Sequence, residues 1–291
     1  MVTILVLGSA NADLVVTVPH RPRAGETVLG GDVRTLPGGK GANTAVAAAR
    51  LGARVVFAGA VGRDGHGELL RTSLADAGVD TAHLRTSDRP TGTAHITVTP
   101  DGENSIVVSP GANADLRESD IDALPWQDVA TLVCSLEIPV PVVCHAIRTA
   151  AGHGVRAVLN LSPVTDLPDD VLPLLDPLVV NEQEAEALGT SVDVPRATVI
   201  TLGADGARLG DRRFPASRVR AVDTTGAGDA FTGALVRELD QGVTLPEAVG
   251  FAIRAAAWSV TREGAQPSYP DLADLSGERG RPAVRRPGRG R

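Results

Sequence analysis

Ala221-Val222-Asp223-Thr224-Thr225-Gly226-Ala227-Gly228-Asp229-Ala230-Phe231 changes character within a few residues. A β-rich run stops, the small residues Gly226, Ala227 and Gly228 let the backbone pass close to a ligand, and a helical stretch follows. Unpaired N–H groups at such a helix start can surround developing phosphate charge, helped by the helix dipole. Asp229 sits where a carboxylate could accept a proton from an attacking hydroxyl. Taken alone, an acid in a first helical turn more often does no more than complement the dipole. Gly226, Gly228 and Gly233 miss the G-x-G-x-x-G spacing, and no G-x-x-x-x-G-K-[ST] occurs, so a dinucleotide dehydrogenase and a P-loop enzyme both lose ground.

Outward from this segment, short aliphatic runs ending in Gly, Asn or Asp alternate with alanine-rich helical stretches, the pattern of a parallel sheet covered by helices. The periodicity predicts core strands at Thr3 to Leu7, Arg54 to Ala58, Thr131 to Ser135, Arg156 to Asn160, Pro177 to Val180, Thr198 to Thr201 and Val219 to Val222. It predicts helices at Asn43 to Leu51, Gly65 to Ala77, Val140 to Gly152, Glu182 to Leu188, Asp229 to Asp240 and Leu245 to Arg262. The layout is doubly wound α/β. Asp13 to Val18 and Gly30 to Leu36 are strand-like insertions, and Thr93 to Thr99 alternates hydroxyl or imidazole side chains with Ala94, Ile96 and Val98. After the turn signal Pro100-Asp101-Gly102, Asn104 to Ser109 can return as a hairpin partner. These pieces predict a small half-buried sheet, drawn from about 11–36 and 91–110, placed to act as a lid.

Within 291 residues, one large α/β domain over 1–276 is the economical reading. No apolar run approaches the roughly 18 residues of a membrane span, and the start of the chain lacks a basic, cleavable leader, so no membrane contact and a cytoplasmic location are expected. Cys134 and Cys144 fit neither a disulfide framework nor a zinc site and read as packed thiols. The net charge of −7 hides an asymmetry: residues 277–291 carry six arginines and one glutamate, leaving −12 on residues 1–276. Such a body repels a nucleic-acid backbone, and the Gly/Pro/Arg tail, with little to bury, is expected to be disordered.

Two further segments carry chemistry. Gly38-Gly39-Lys40-Gly41-Ala42-Asn43 precedes an alanine-rich helix; its glycines admit a ligand against the backbone, and Lys40 and Asn43 offer donors to hydroxyls, although an ordinary turn capped by Asn43 reads equally well. Asn181-Glu182-Gln183-Glu184 follows an apolar run and forms a capping box. At the carboxyl end of a strand, where open α/β sheets bind ligands, Asn181 and Glu184 could also lie near Mg²⁺ or nucleotide phosphates.

In this order the motifs resemble the PfkB carbohydrate kinases; Asp223 to Asp229 is similar to that family's D-T-x-G-A-G-D signature. The finer likeness is to its ribokinase branch, through Gly8 to Asp13, Pro22 to Val28, Gly38 to Asn43, Leu136-Glu137, Asn181 to Glu184, Thr201-Leu202-Gly203, Asp223 to Asp229 and Gly264 to Ser268. The resemblance implies a three-layer α/β sandwich with a mostly parallel central sheet and a β lid. It implies transfer of the ATP γ-phosphoryl to the primary hydroxyl of a pentose, D-ribose at O5, with Asp229 as base and the Gly226, Ala227, Gly228 and Asp229 amides receiving charge. Asn11, Asp13, Gly39, Lys40, Asn43 and Glu137 would hold the sugar. Asn181, Glu184, Thr201, Leu202, Gly203, Ala204, Asp205, Gly206 and Gly228 would line the nucleotide. Asp223, Thr225, Ser259, Arg262, Gly264 and Ser268 match a K⁺ loop that ligates mostly through backbone oxygens. Pairing of two lid sheets in a homodimer is expected.

The chain also departs from that pattern. Only nine residues separate Leu188 from the strand at Thr198, where the family usually inserts a further helix, so a bare sheet face is expected there. Ile253 stands where a histidine often lies near the adenine. A nucleoside kinase of the same fold and a sugar-binding regulator without turnover are the competing readings. The chain has seven aromatics, none of them in 11–41 or 91–113, which favours a bare sugar over a stacked nucleobase.

Overall fold

The computed structural model describes residues 3–276; the tail expected over 277–291 lies outside the described residues. β1 (Thr3–Leu7) begins the main sheet, and β2 (Asn11–Thr17) and β3 (Arg34–Gly38) leave it before α1 (Lys40–Arg50) returns. β4 (Val55–Gly62), α2 (Gly65–Asp76) and β5 (Asp80–Ser87) follow, and then the hairpin β6 (Gly92–Val98) and β7 (Asn104–Ser109). The short α3 (Glu118–Asp122) leads to β8 (Val129–Ser135), α4 (Val140–Gly152), β9 (Arg156–Asn160), β10 (Leu175–Asn181), α5 (Glu182–Leu188) and β11 (Thr198–Thr201). β12 (Ala207–Leu209), β13 (Arg212–Phe214), α6 (Ala227–Asp240), α7 (Leu245–Ser259) and α8 (Leu272–Leu275) complete the chain.

Nine strands form one sheet in the order β13-β12-β11-β10-β9-β8-β1-β4-β5. From β11 to β5 every pairing is parallel, and only β12 and β13 are antiparallel, at one edge. Successive side chains of a strand point to opposite faces, and both faces here are apolar, as buried parallel strands require. Ile4, Val6, Val133, Val158, Val179 and Val199 pack on the side of α1, α6 and α7. Leu5, Leu7, Leu132, Leu159, Val180 and Ile200 pack on the side of α4. Helix, sheet and helix thus make the three layers. A second sheet, in the order β3-β2-β6-β7, is the expected lid. Among the described residues no helix is long and apolar enough to cross a membrane.

The strand order reverses at β1, which has β4 on one side and β8 on the other. In open α/β sheets such a switch point leaves a crevice at the carboxyl ends of the strands. The segments leaving β1 and β8 carry Ser9, Asn11 and Glu137 into that crevice.

Three expectations need correction. Val219 to Val222 is not a strand: residues 215–222 are irregular and Val222 is 58% exposed, with its N–H donating to Val260 O at the end of α7. The sheet edge is taken instead by the hairpin β12–β13, which blocks a further parallel partner. The inserted strand placed at Gly30 to Leu36 begins only at Arg34. Nor is the sheet face at the shortened crossover bare, because α5 and a single 3₁₀ turn over Gly189–Asp193 lay Ala185, Leu188 and Val192 against the core, leaving Ile200 buried. The strand β5 and the helix α3 were not legible as elements; their short, polar segments carry no clear period. Cys134 and Cys144 are buried free thiols, as read from the sequence.

Candidate active site

Asp229 lies in the first turn of α6 and is buried. Its Oδ2 accepts a hydrogen bond from Asn43 Nδ2 at 2.9 Å, and its Oδ1 accepts none from any described residue. Burial pushes the carboxyl up to about 6, against the pull of the Lys40 charge and the Asn43 hydrogen bond, with Glu137 adding to the rise. A carboxylate near that value is ionised at neutral pH yet basic enough to share a hydroxyl proton.

The chain meets the helix from a left-handed Gly226 (φ 73°), whose position leaves no room for a side chain: a Cβ there would lie 2.4 Å from Tyr269 Oη. Tyr269 donates to Gly226 O at 3.2 Å and so ties the turn to the segment after α7. Ala227 N–H donates to Thr224 O, which removes it from the expected set of charge-receiving amides. The amides of Gly226, Gly228 and Asp229 donate to no described acceptor. Gly228 faces open space, with nothing within 4 Å of where a Cβ would stand. Neither packing nor backbone angle demands a glycine at 228.

On the other side of Asp229, α1 is brought against the end of β1 by two glycines; a Cβ on Gly41 would approach Gly8 Cα to 2.6 Å. This contact sets Lys40 and Asn43 beside the crevice. Glu137 Oε2 accepts from Ser9 Oγ at 2.5 Å, from the Lys40 amide at 3.2 Å and from Asn11 Nδ2 at 3.4 Å. Asn11 Oδ1 in turn accepts from Asn113 Nδ2 at 2.7 Å, and Asn113 grips the backbone of Ala10 from both sides. Asp13 is buried and accepts from no described donor; burial, then Glu137 and Asp229, push its carboxyl up to about 7. The Lys40 ammonium loses solvent, but Asp229, Glu137 and Glu184 more than offset this and raise its pKa. Gly39 packs against Ala10 and Asn11 and receives the Asn43 amide on its carbonyl, so it shapes the loop. The result is a set of buried and half-buried carboxylates with unused acceptor capacity around one ammonium. A polyol suits it, since each hydroxyl both donates and accepts.

The expected nucleotide residues also meet at one edge of the sheet. Asn181 and Thr201 are register partners at the carboxyl ends of the parallel neighbours β10 and β11. Asn181 Oδ1 accepts from the Glu184 amide and Glu184 Oε2 from the Asn181 amide, so the capping box is real. Leu202 N–H donates to Gly206 O across a tight turn holding Gly203, Ala204 and Asp205, and Gly203 and Gly206 take positive φ. Ile253 is buried in the core on the α7 side.

The loop expected to hold K⁺ is assembled from two segments. Asp223 Oδ1 accepts from Thr225 N and Oδ2 from Gly264 N, which bridges them. Burial raises the Asp223 carboxyl, but the bonds from Thr225 and Gly264 outweigh it and hold it below the usual range. The hydroxyls of Ser259 and Ser268 donate to Ala256 O and Ala265 O, and the Arg262 guanidinium lies over Trp258, so any ligation by these three falls to their carbonyls. The carbonyls of Thr225, Arg262, Gly264 and Ser268 accept no hydrogen bond from a described residue. Among the described residues no three His, Cys, Asp or Glu side chains gather as a metal cluster.

Ser9, Asn113, Gln266 and Tyr269 were not singled out from the sequence. Ser9 and Gln266 stand inside quoted motifs, whereas Asn113 has no charge or glycine signal, and only its contact across 102 positions reveals it.

A model of the pfkB family carbohydrate kinases matches residues 1–272. The chain is 41% identical to the ribokinase of Haemophilus influenzae, over 92% of this chain and 95% of that protein, and 40% identical to the ribokinase of Bacillus subtilis, over 93% and 97%. Among solved structures it is similar to ribokinase from Thermotoga maritima, with a TM-score of 0.85 and 32% identity over 94% of this chain and 98% of that one. Arabidopsis thaliana ribokinase complexed with ribose and ATP gives a TM-score of 0.83 and 30% identity, over 94% and 97%. The chain belongs to the pfkB family of carbohydrate kinases.

Proposed function

We propose that the protein is an ATP-dependent ribose kinase, a phosphotransferase acting on an alcohol, which moves the γ-phosphoryl group of ATP to O5 of D-ribose. The observation that carries this reading is Asp229: one oxygen is pinned by Asn43, the other is unengaged, and the unpaired amides of Gly226, Gly228 and Asp229 lie beside it. The ribose complex of the Arabidopsis relative supports the choice of sugar. So does the lid, whose four strands contain no Phe, Trp or Tyr to stack on a nucleobase.

In this reading Asn11, Asp13, Lys40, Asn43 and Glu137 bind the ribose hydroxyls and orient O5 towards Asp229 Oδ1. As O5 attacks the γ-phosphorus, its proton passes to Asp229, the bond to the β,γ-bridging oxygen breaks, and ADP leaves. The transferring phosphoryl oxygens receive the three amides, whose positions are set before reaction. Asn181, Glu184 and the Thr201–Gly206 turn take the nucleotide. Mg²⁺, when bound, would neutralise phosphate charge beside Asn181 and Glu184. K⁺ fits the carbonyls of Thr225, Arg262, Gly264 and Ser268 with Asp223, and would stiffen the turn that carries the amides. The lid presents Ile106, Val107 and Val108 on the outward strand β7, 51%, 67% and 43% exposed, a surface suited to a second lid.

ADP release is measured with D-ribose, adenosine and fructose 6-phosphate, each in K⁺ and in a bulky organic cation at matched ionic strength. Ribose is expected to give the highest kcat/KM, with faster turnover in K⁺. Faster turnover of adenosine or of fructose 6-phosphate would overturn the sugar assignment, and equal rates in the two salts would overturn the cation site.

A further inference from the structure

Among the described residues Asn43 alone donates a side-chain hydrogen bond to the carboxylate of Asp229, and its own amide is held from behind. Gln266 Nε2 donates to Asn43 Oδ1 at 3.1 Å, and Ser73 Oγ donates to Gln266 Oε1 at 2.7 Å. Gln266 is 2% exposed and sits in the 3₁₀ turn between the cation loop and Tyr269, while Ser73 lies on α2. The direction of the chain follows from its last member. A carboxylate can only accept, so Asn43 must present Nδ2 to Asp229; its Oδ1 then faces Gln266, which must present Nε2, leaving Oε1 for the serine hydroxyl.

We propose that Gln266 is a positioning residue: it holds the Asn43 amide from behind, so that Nδ2 stays on Asp229 Oδ2 and the second carboxylate oxygen, Oδ1, is presented to the sugar hydroxyl. The proposal rests on the reading of Asp229 as the proton acceptor. Without the Gln266 donor, only the bond to Asp229 holds the Asn43 amide, and its plane is free to rock. As it rocks, the Nδ2 bond lengthens, and the carboxylate swings or takes up a proton. A glutamate at 266 goes further, because its carboxylate repels Asn43 Oδ1 and competes with Asp229 for Nδ2 while still serving Ser73.

The groups around Asp229 are Lys40 and Asn43 on α1, Glu137 after β8, Asp13 on β2 and the Tyr269 hydroxyl. None of them replaces the neutral donor that Asn43 supplies at Oδ2. The Asn43 bond is one of the two influences that lower the Asp229 pKa. Its loss therefore moves the acid limb of the rate profile to higher pH.

The test compares Gln266→Met, Gln266→Glu, Ser73→Ala and Ser73→Thr with the wild-type chain in the ribose-dependent ADP assay, with melting temperature recorded for each. Misplacing a reacting group by a fraction of an ångström lowers kcat steeply, so Gln266→Met is expected to lose about tenfold and Gln266→Glu more, the latter with its acid limb raised. Ser73→Ala is expected to lose a smaller factor and Ser73→Thr, which keeps the hydroxyl, to lie within about twofold of wild type. In an Asn43→Ala background, Gln266→Met is expected to change kcat by less than about twofold, because its effect runs through Asn43. The inference is overturned by Gln266 variants that fold and turn over within about twofold of wild type, or by losses that multiply in the double variant. Should the Gln266 variants not fold, Ser73→Ala and Ser73→Thr decide, and equal rates for the two overturn it. A wild-type chain inactive on ribose would refute the kinase reading itself, a separate result.

Discussion

Replacing Asp229 by Asn distinguishes a base from a cap because the two roles move stability in opposite directions. Burial, only partly relieved by Lys40 and Asn43, pushes the folded carboxyl up to about 6, whereas the unfolded chain titrates it near its ordinary 3.8. The folded state therefore binds the proton more tightly. The ionised group costs the fold nothing below about pH 4, and a penalty grows as pH rises through 6. A gap of about two pH units corresponds to about 3 kcal/mol above pH 7. Asn has the same shape and can still accept from Asn43 Nδ2, but carries no charge to desolvate. Asp229→Asn should thus raise the melting temperature at pH 8, by about 5 °C or more at 2–4 °C per kcal/mol, with the gain vanishing towards pH 4. Turnover should fall by about 10²- to 10⁴-fold, since an amide cannot take the hydroxyl proton. Scanning calorimetry at pH 4, 6 and 8 together with the ADP assay reads both. A variant that melts lower than wild type at pH 8, or keeps more than about a tenth of kcat, would show that Asp229 serves the helix and not the reaction.

Three further outcomes follow from the same geometry. Because Asp13 is pushed up to about 7 by burial, Glu137 and Asp229, protons compete with sugar hydroxyls for it; ribose affinity by calorimetry should weaken about tenfold from pH 8 to pH 6 and lose that dependence in Asp13→Asn, and a flat wild-type profile would refute this. Gly228→Ala meets no protein atom and favours the helix, so its melting temperature should hold or rise while kcat/KM for ATP drops at least about tenfold; unchanged ATP kinetics would mean that no phosphate passes there. Val107→Glu places a charge on the exposed lid strand and should convert a sedimenting dimer to monomers, whereas a wild-type chain that already sediments as a monomer would exclude the lid as an interface.

The sequence by itself determined the architecture and the chemistry that are local. Aliphatic runs of four or five residues between amphipathic alanine-rich stretches can bury themselves only as a parallel sheet with helices on both faces, so β1, β8, β9, β10, β11 and their helices were legible. The glycine turn into the helix that carries Asp229 was legible because its signal lies within eleven consecutive residues. The Val219–Val222 run misled, since alternation reports only that one face could be buried and says nothing of whether a sheet edge is still open; the β12–β13 hairpin had already taken that edge. What tertiary structure alone decided is which side chains act on one another. Asn43 was visible as a donor, but its partner is 186 positions away and the residue that orients it lies 223 positions away. Asn113 reached the site only through the lid hairpin. The raised proton affinities of Asp13 and Asp229 belong to the same class: they arise from burial and from the fields of neighbours that folding brings within reach, and an unfolded carboxylate, surrounded by water, feels neither.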